Sequence, residues 1–328
     1  MSTSLTFLLL RFDCLAQTHI KLGEHQAGER LRDALANVML RAVCAENPRR
    51  QQPTPEHAAQ CPVCWLLAAE PVPGEVRRVY SLVPPNPPLD VAAPGQRFSF
   101  MLTLYGSRGM QYLPYFVLAT PEMGRGGLGP GRGRFDLEAI WALNPLQQEA
   151  QAIWQAGERV VRAPQGMVSF QDAEALAQAF LPRLAHHTLQ VDFLSPTRLI
   201  EDEALIKSPD FGVFFRRLLK RMDELAEQCS PDPQPPRSKE EIERLHALAD
   251  QVRLVETETR WVEVWGPSGR TGRSTPMGGF VGWAHYRSRH WADLLPWLLF
   301  GQGVQVGKLT AKGNGVFRVQ EISEDFRS

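Results

Sequence analysis

Two glycine-rich stretches, one towards the end of each half of the chain, constrain the fold more than any other feature. The first spans residues 124–133 and runs into 134–137, and the second spans 301–315 and runs into 316–319. Glycine allows positive φ and close backbone approach, and the arginines and lysines among these glycines bring positive charge beside exposed N–H groups. Each stretch is therefore a candidate clamp for a polyanion, and the recurrence indicates a duplicated module.

Length and charge narrow the classes of function. The 328 residues fit two domains of about 150 residues each, and the composition (43% hydrophobic, 22% charged) is typical of a globular protein. The formal net charge is zero, which argues against nonspecific coating of nucleic acid, yet residues 265–318 hold seven arginines and lysines against one acid, Asp293. This local basic surface favours a specific anionic ligand.

The sequence also predicts the compartment. The apolar run at residues 5–10 is short and is followed by Arg11 and Asp13, so we expect no secretory signal. No segment approaches the roughly 18 uninterrupted apolar residues of a membrane helix, so no membrane partner is expected. Five cysteines, an odd number, argue against a disulfide framework and favour a reducing cytoplasm.

Hydrophobic periodicity predicts the same order of elements in each half. In the first half it predicts strands over 6–14, around Val79, over 96–105 and after the first glycine stretch, with helices over 27–44 and 113–120 and a loop over 46–62. In the second half it predicts strands over 189–194, 253–265, 278–286 and 316–319, with helices over 211–228, 239–251 and 291–300. This order matches the ferredoxin-like βαββαβ unit. We therefore predict an α+β protein with two tandem ferredoxin-like domains, at 1–145 and 188–328, joined by a connecting region of mixed helix and loop at 146–187.

Six stretches together carry a family resemblance. They are the helix segment 24–35, the cysteine pair in 61–67, the strand and turn at 193–199, the pair 278–282 and 294–301, and the closing segment 307–317. In this order they resemble the CRISPR-associated RAMP endoribonucleases that process precursor CRISPR RNA, the sixth Cas family. One departure is that the last loop opens with Gln305-Val-Gly307, where the family usually has glycine, an apolar residue and glycine. The closing Gly313-Asn-Gly315 follows the family pattern.

The resemblance implies two RRM-like domains that hold RNA across or near their cleft in a prokaryotic cytoplasm. It implies cleavage on the 3′ side of a repeat-derived stem-loop without a metal ion or other catalytic cofactor. In that reaction the upstream 2′-hydroxyl attacks the phosphate and leaves a 2′,3′-cyclic phosphate and a 5′-hydroxyl. The chemistry needs a general base, a general acid and a cation. The implied partners are the repeat stem-loop and other Cas proteins of an effector complex.

Histidine suits both proton transfers because its pKa lies near neutrality. The family carries an active-site histidine near or within its first helix, which makes His25 the preferred acid or base, and His19 the second candidate. The alternatives are a polar residue that caps the helix and a solvated loop histidine. Arg30 and Arg41 on the helix can neutralise the scissile phosphate, or belong to an ordinary solvated face.

Basic residues in the glycine-rich segments are candidate RNA contacts. Because the family uses its last loop for RNA, Lys308 and Lys312 are the preferred phosphate contacts. Arg125, Arg132 and Arg134 of the first stretch are also candidates, and the alternative for that stretch is a mainly structural counterpart of the last loop. Further candidates are Arg270 and Arg273 in a Gly/Ser-rich turn, and the cluster His285, Tyr286, Arg287 and Arg289, because tyrosine and arginine stack on unpaired bases. The alternative is that these loops are flexible connections with solubilising charge. The glycine spacing in 124–129 does not predict a dinucleotide site, because the stretch leads into a strand.

Cys44, His57, Cys61 and Cys64 form a separate candidate site. Three thiols and one imidazole can bind zinc tetrahedrally and fasten the proline-containing loop to the end of the first helix. Free thiols packed in the core are the alternative. Any such metal is expected to be structural.

Two other functions stay open at the level of the sequence. One is a noncatalytic RAMP subunit that binds RNA and acts as a scaffold in a CRISPR effector complex. The other is an RRM-type RNA-binding protein outside CRISPR.

Overall fold

A computed structural model describes residues 3–46, 53–67, 78–232, 237–267 and 274–322. The elements of the first half are β1 (Phe7–Ala16), β2 (Ile20–Lys21), α1 (Ala27–Val43), α2 (Pro55–Gln60), α3 (Pro62–Leu67), β3 (Tyr80–Val83), β4 (Val91–Ala92), β5 (Arg97–Tyr105), α4 (Gly106–Met110), α5 (Leu113–Gly126), β6 (Phe135–Asn144), β7 (Glu149–Gln155) and α6 (Phe170–Phe180). Those of the second half are β8 (Thr188–Thr197), β9 (Leu199–Glu201), β10 (Ala204–Ile206), α7 (Phe211–Cys229), α8 (Lys239–Asp250), β11 (Arg253–Val262), β12 (Trp265–Pro267), β13 (Ser274–Pro276), β14 (Gly279–Arg287), α9 (Trp291–Val304) and β15 (Phe317–Gln320).

The first sheet has the strand order β3-β5-β1-β6-β7. β1 lies at its centre and pairs antiparallel with β5 and β6 on its two sides. Leu8, Leu10, Phe12 and Cys14 alternate along β1 and are all buried, as a strand with one face against a helical layer requires. Helices α1 and α5 contact each other. β3, β5, β1 and β6 give the ferredoxin-like arrangement.

The second sheet repeats the arrangement with the order β11-β14-β8-β15. Every neighbouring pair is antiparallel. Helix α7 begins at Asp210, whose side chain accepts a hydrogen bond from the Val213 N–H, and Phe214 of this helix makes an edge contact with Phe193 of β8 (5.6 Å between centroids). The prediction of an α+β fold with two tandem ferredoxin-like units is confirmed.

Three local predictions were wrong. The predicted loop over 46–62 contains α2, which Thr54 caps by accepting from the His57 N–H. Part of the predicted connecting region forms β7, which extends the first sheet by pairing with β6. The second glycine-rich stretch begins inside α9, where Gly301 and Gly303 let the helix pack closely against Leu218 and Phe7.

The two halves are joined by buried hydrogen bonds. The Gln305 side chain donates to the Leu82 carbonyl (2.8 Å) and the Tyr105 hydroxyl donates to the Val304 carbonyl (2.9 Å). The Arg221 Nε donates to the same Val304 carbonyl (3.0 Å). These bonds hold the end of α9 against the first sheet, which fixes where the last glycine loop meets the first half. None of the described helices is long and apolar enough to cross a membrane.

Candidate active site at the start of α1

His25 lies in a single 3₁₀ turn, Glu24–Gln26, directly before α1. Gly23 enters the turn at φ 67°, a value that glycine adopts at little cost. The N–H groups of Leu22 and Gly23 donate to the Asp90 carbonyl at 2.7 and 2.9 Å. The turn is therefore fixed at its start by backbone bonds to the first half of the chain.

Arg30 fastens the same turn from the helix. Its Nη1 donates to the Lys21 carbonyl (2.8 Å) and its Nη2 to the Gln26 side chain (2.5 Å). Part of the predicted phosphate-binding capacity of Arg30 is thus used to position the residues around His25. Arg30, which the sequence predicts as a phosphate contact, therefore also stabilises the turn that carries His25.

The His25 side chain is half-buried, and its pKa is lowered. The larger cause is burial, which disfavours the imidazolium. The positive charge of Arg260 on β11 lowers the pKa further, while Glu24 acts in the opposite direction. A lowered pKa favours the uncharged imidazole near neutral pH, and this is the form that can accept a proton.

The last glycine loop reaches the start of α1 from the other half. Lys312 Nζ lies 2.7 Å from Glu29 Oε1, and the Glu29 side chain is only 8% exposed. The Lys312 carbonyl would lie 2.2 Å from a Cβ on Gly28, so this close approach needs glycine there. The loop itself is held by Asn314, whose side chain donates to the Met277 carbonyl (2.8 Å).

The first glycine loop lies against the segment that carries His19. A Cβ on Gly133 would lie 2.3 Å from the His19 carbonyl oxygen, and a Cβ on Gly129 would lie 2.2 Å from the Lys21 carbonyl oxygen, so the two backbones pack closely. The Arg134 N–H donates to Thr18 Oγ1 (2.8 Å). His19 itself is exposed. The loop therefore packs against the segment that carries His19 and leads to the turn of His25.

A groove of about 460 Å³ runs along α1 beside this loop. Its polar and aromatic lining includes Gln26, Arg30, Asn37, Arg41, Arg132 and Trp265. The Trp265 side chain is large and 55% exposed. Three arginines and an exposed indole can bind a nucleic-acid strand by phosphate contact and base stacking.

The remaining basic candidates lie elsewhere. Lys308 is exposed and lines a separate cavity of about 330 Å³ with Arg198, Arg217, Lys220 and Arg221. Arg125 is exposed and ion-paired with Glu122, and Arg287 and Arg289 are exposed near the end of β14. Arg270 and Arg273 lie outside the described residues. The structure thus groups Arg30, Arg41 and Arg132 in one groove and places Lys308 in another cavity.

Two predicted RNA contacts need correction. The Tyr286 side chain is 0% exposed and its hydroxyl donates to the Pro209 carbonyl (2.6 Å), while the His285 side chain is 3% exposed and lies 3.0 Å from Gln190 Oε1. Neither ring has a face open to a base, because both side chains are almost fully buried. The sequence places them next to the exposed Arg287 and Arg289, which indicated a common exposed cluster, but the two rings are buried.

Sequence reasoning missed Arg260, Glu29 and Trp265 as members of this site. Arg260 and Trp265 come from the second half, more than 230 residues from His25 along the chain. The local signal was weak, since an arginine in an alternating strand is ordinary. Only the packing of the two halves brings them to α1.

Cys44, His57, Cys61 and Cys64 also come together. One ligand atom from each lies within 4.8 Å of the others, an arrangement that can hold a metal ion. This cluster lies at the opposite end of α1 from His25.

Comparisons with known proteins show which families and solved structures the chain resembles. The solved structures that resemble the chain have the same tandem ferredoxin-like fold. The family model of the CRISPR-associated endoribonuclease Cas6 matches residues 191–317, and a model of the AF_1859 N-terminal domain matches residues 5–166. Residues 191–317, most of the second half of the chain, are therefore similar to the Cas6 CRISPR-associated endoribonucleases.

Three solved structures illustrate the likeness. Thermus thermophilus Cas6 has 14% identity and a TM-score of 0.53, over 98% of this chain and 99% of that one. A product complex of the same Cas6 has 18% identity and a TM-score of 0.56, over 96% and 99%. A partial Cas6-RT-Cas1–Cas2 complex has 11% identity and a TM-score of 0.60, over 98% of this chain and 47% of the other. At these identities the likeness shows the fold. No curated protein matches the chain by sequence.

Proposed function

We propose that this protein cleaves precursor CRISPR RNA within its repeats to give mature guide RNAs, without a metal ion in the reaction. The observation that carries the proposal is the half-buried His25 in the turn directly before α1, whose pKa burial and the charge of Arg260 lower, in a fold similar to that of solved Cas6 structures. An uncharged imidazole next to a cation supplies proton transfer and charge stabilisation at one phosphate.

In the proposed step, the 2′-oxygen of the upstream nucleotide forms a bond to phosphorus as it loses its proton. The bond between phosphorus and the 5′-oxygen breaks, and that oxygen gains a proton. The products are a 2′,3′-cyclic phosphate and a 5′-hydroxyl, so atoms and charges balance without an oxidant or a water molecule. His25 carries one of the two protons and His19 is the candidate for the other. Arg30, which donates hydrogen bonds to Lys21 and Gln26, and Arg260, whose charge acts on His25, are the proposed cations for the phosphate.

RNA is proposed to follow the groove along α1. Arg41 and Arg132 line it with Trp265, and the exposed Arg134 adjoins the same loop. Lys308, Arg125, Arg287 and Arg289 are proposed as outer phosphate contacts, and Arg270 and Arg273 stay candidates. Lys312 is proposed to act through Glu29 as well as through RNA.

Similar solved structures suggest partners for this chain. A Thermus Cas6 was solved as a product complex, and another similar chain belongs to a Cas6-RT-Cas1–Cas2 complex. We propose repeat RNA as the ligand of this chain and other Cas proteins as its partners, in a prokaryotic cytoplasm. We also propose the domain division at 1–145, 146–187 and 188–328, in which the connecting region 146–187 contains β7 and α6.

The test uses the purified full chain, its cognate repeat RNA and EDTA. We expect one cut per repeat, with products bearing a cyclic phosphate that acid opens to a 2′- or 3′-monophosphate. His25→Ala should lose cleavage and keep RNA affinity, while His290→Ala, a half-buried histidine outside this site, should keep both. If the wild-type chain binds the repeat without cutting it, the noncatalytic scaffold function replaces this one.

A further inference from the structure

Four metal-binding side chains converge where α1 ends. Cys44 follows the last residue of α1, His57 lies in α2, Cys61 joins α2 to α3, and Cys64 lies in α3. Cys44 Sγ lies 3.4 Å from Cys64 Sγ and 3.3 Å from His57 Nε2. None of the cysteines in the described part of the chain is in a disulfide. Three sulfurs and one imidazole nitrogen thus face a common centre.

The spacing suits a tetrahedral ion. With Zn–S near 2.3 Å and Zn–N near 2.0 Å, tetrahedral ligand atoms lie roughly 3.5–3.8 Å apart. The two separations above and the upper limit of 4.8 Å for the whole set bracket this range. Binding an ion therefore requires the separations between ligand atoms to change by at most about 1 Å, a distance that side-chain rotation can cover.

The surroundings orient the ligands. His57 Nδ1 lies 3.3 Å from Glu46 Oε1, which leaves Nε2 directed at the thiols. A carboxylate on the distal nitrogen of a metal-binding histidine is the usual supporting contact. The Cys61 N–H donates to the His57 carbonyl (2.8 Å) and the Trp65 N–H donates to the Cys61 carbonyl (2.9 Å). The corner between α2 and α3 is thus built from hydrogen-bonded backbone.

The cluster fastens α1 to the rest of the first half. Arg32 of α1 donates to the Leu67 carbonyl at the end of α3 (3.1 Å). Trp65 of α3 stacks on Tyr112 (5.5 Å between centroids), and the Arg108 guanidinium lies 4.0 Å from the Trp65 ring centre. Helix α3 therefore bridges α1 and the segment between α4 and α5.

We propose that Cys44, His57, Cys61 and Cys64 bind one structural Zn²⁺, which fixes the C-terminal end of α1 and thereby supports the helix that begins at the candidate active site. Four protein ligands complete the tetrahedron, so no position is left for substrate or reactive water. A set of three thiolates and one imidazole selects zinc over hard cations such as Mg²⁺. The inference does not depend on which reaction occurs near His25.

The first measurement is the metal content of the untagged full chain, purified from zinc-supplemented medium. We expect about one zinc per chain, lost together with a fall in melting temperature when a strong chelator is added, and restored by Zn²⁺. Cys64→Ser should lose the zinc, whereas Cys229→Ser, the same change at a buried thiol outside the cluster, should retain it. Glu46→Gln should keep the ion but weaken its affinity by roughly tenfold or more.

Co²⁺ titration of the chelated wild-type chain gives a second readout that does not need a variant to fold. Intense thiolate-to-cobalt absorption with tetrahedral visible bands is expected, and Zn²⁺ should displace it. A chain with no stoichiometric zinc and no such bands contains packed thiols only, and the proposal is then wrong. Retention of zinc by Cys64→Ser would equally overturn the ligand set. The cleavage assay also contains a chelator, EDTA. A melting curve of the protein recorded in that buffer therefore shows whether a loss of cleavage comes from unfolding or from a metal requirement of the reaction.

Discussion

Lys312 Nζ of the last glycine loop lies 2.7 Å from Glu29 Oε1 of α1, with only 18% and 8% of the two side chains exposed. The pair therefore joins the two halves of the chain at the start of the helix that follows His25. It also gives Lys312, predicted from the sequence as a phosphate contact, a structural partner of opposite charge. Its role in RNA binding stays a prediction.

Removing one member of this pair should destabilise the protein. Lys312→Met leaves the Glu29 carboxylate buried without its charged partner, and the free energy of unfolding should fall by about 3–5 kcal/mol. The double variant Glu29→Met/Lys312→Met should recover part of that loss. Lys308→Met, at an exposed position, should change stability by less than about 0.5 kcal/mol. Urea unfolding measures all three, and equal stabilities for the two lysine variants would contradict the role of the pair.

The pH dependence of cleavage should follow His25. Burial and Arg260 lower its pKa, so the uncharged form persists to below pH ~6.5, the ordinary value for histidine. If His25 is the base, kcat/KM falls as pH drops through this lowered pKa. Arg260→Ala removes a positive charge, so the His25 pKa should rise and the acidic limb should move to higher pH.

NMR titration of the His25 ring in the free protein measures that pKa directly. Arg253→Ala, at an exposed position on the same strand, is the control and should leave the ring titration unchanged. A His25 pKa that is the same in the wild type and in Arg260→Ala would show that the arginine does not act on this imidazole.

Trp265 should contribute to RNA affinity by stacking. Its side chain is 55% exposed in the groove, and loss of one base–aromatic stack costs about 1–3 kcal/mol, or roughly 5- to 150-fold in Kd. Trp265→Ala should weaken binding of a noncleavable repeat by that factor, and Trp265→Phe should recover most of it. Leu118→Ala, at an exposed apolar position on α5, is the control. Equal affinity for both alanine variants would exclude this surface from the RNA path.

Gly315 should tolerate no side chain. It has φ 73°, and a Cβ would stand 1.8 Å from the Val306 carbonyl oxygen. The positive φ alone costs about 1–2 kcal/mol for alanine, and the clash adds to it, so Gly315→Ala should lower the melting temperature strongly. Gly126→Ala has open space at its Cβ and should leave it nearly unchanged. Similar melting temperatures would mean that the last loop adapts freely.

Much of the fold followed from the sequence because its causes are local. The sequence pattern predicted the eight strands of the two ferredoxin-like units, and helical periodicity predicted α1, α7 and α9 to within a few residues. The eight strands are β1, β3, β5, β6, β8, β11, β14 and β15. The predictions failed where two causes competed. Proline and polar residues concealed α2, and the glycines of 301–304 indicated a loop although they serve helix packing, as Gly303 against Phe7 shows.

Some features of the candidate site were also predictable from the sequence, and others depended on the tertiary structure. By itself, the sequence determined the two ferredoxin-like units, the position of His25 before a helix and the four-member cysteine and histidine set, because each depends on residue type and short spacing. Only the tertiary structure decided that Arg260 lowers the pKa of His25, that Glu29 takes Lys312, and that Tyr286 is buried. These outcomes depend on how two distant halves pack, and burial and charge neighbours across such an interface leave no periodic pattern in either half.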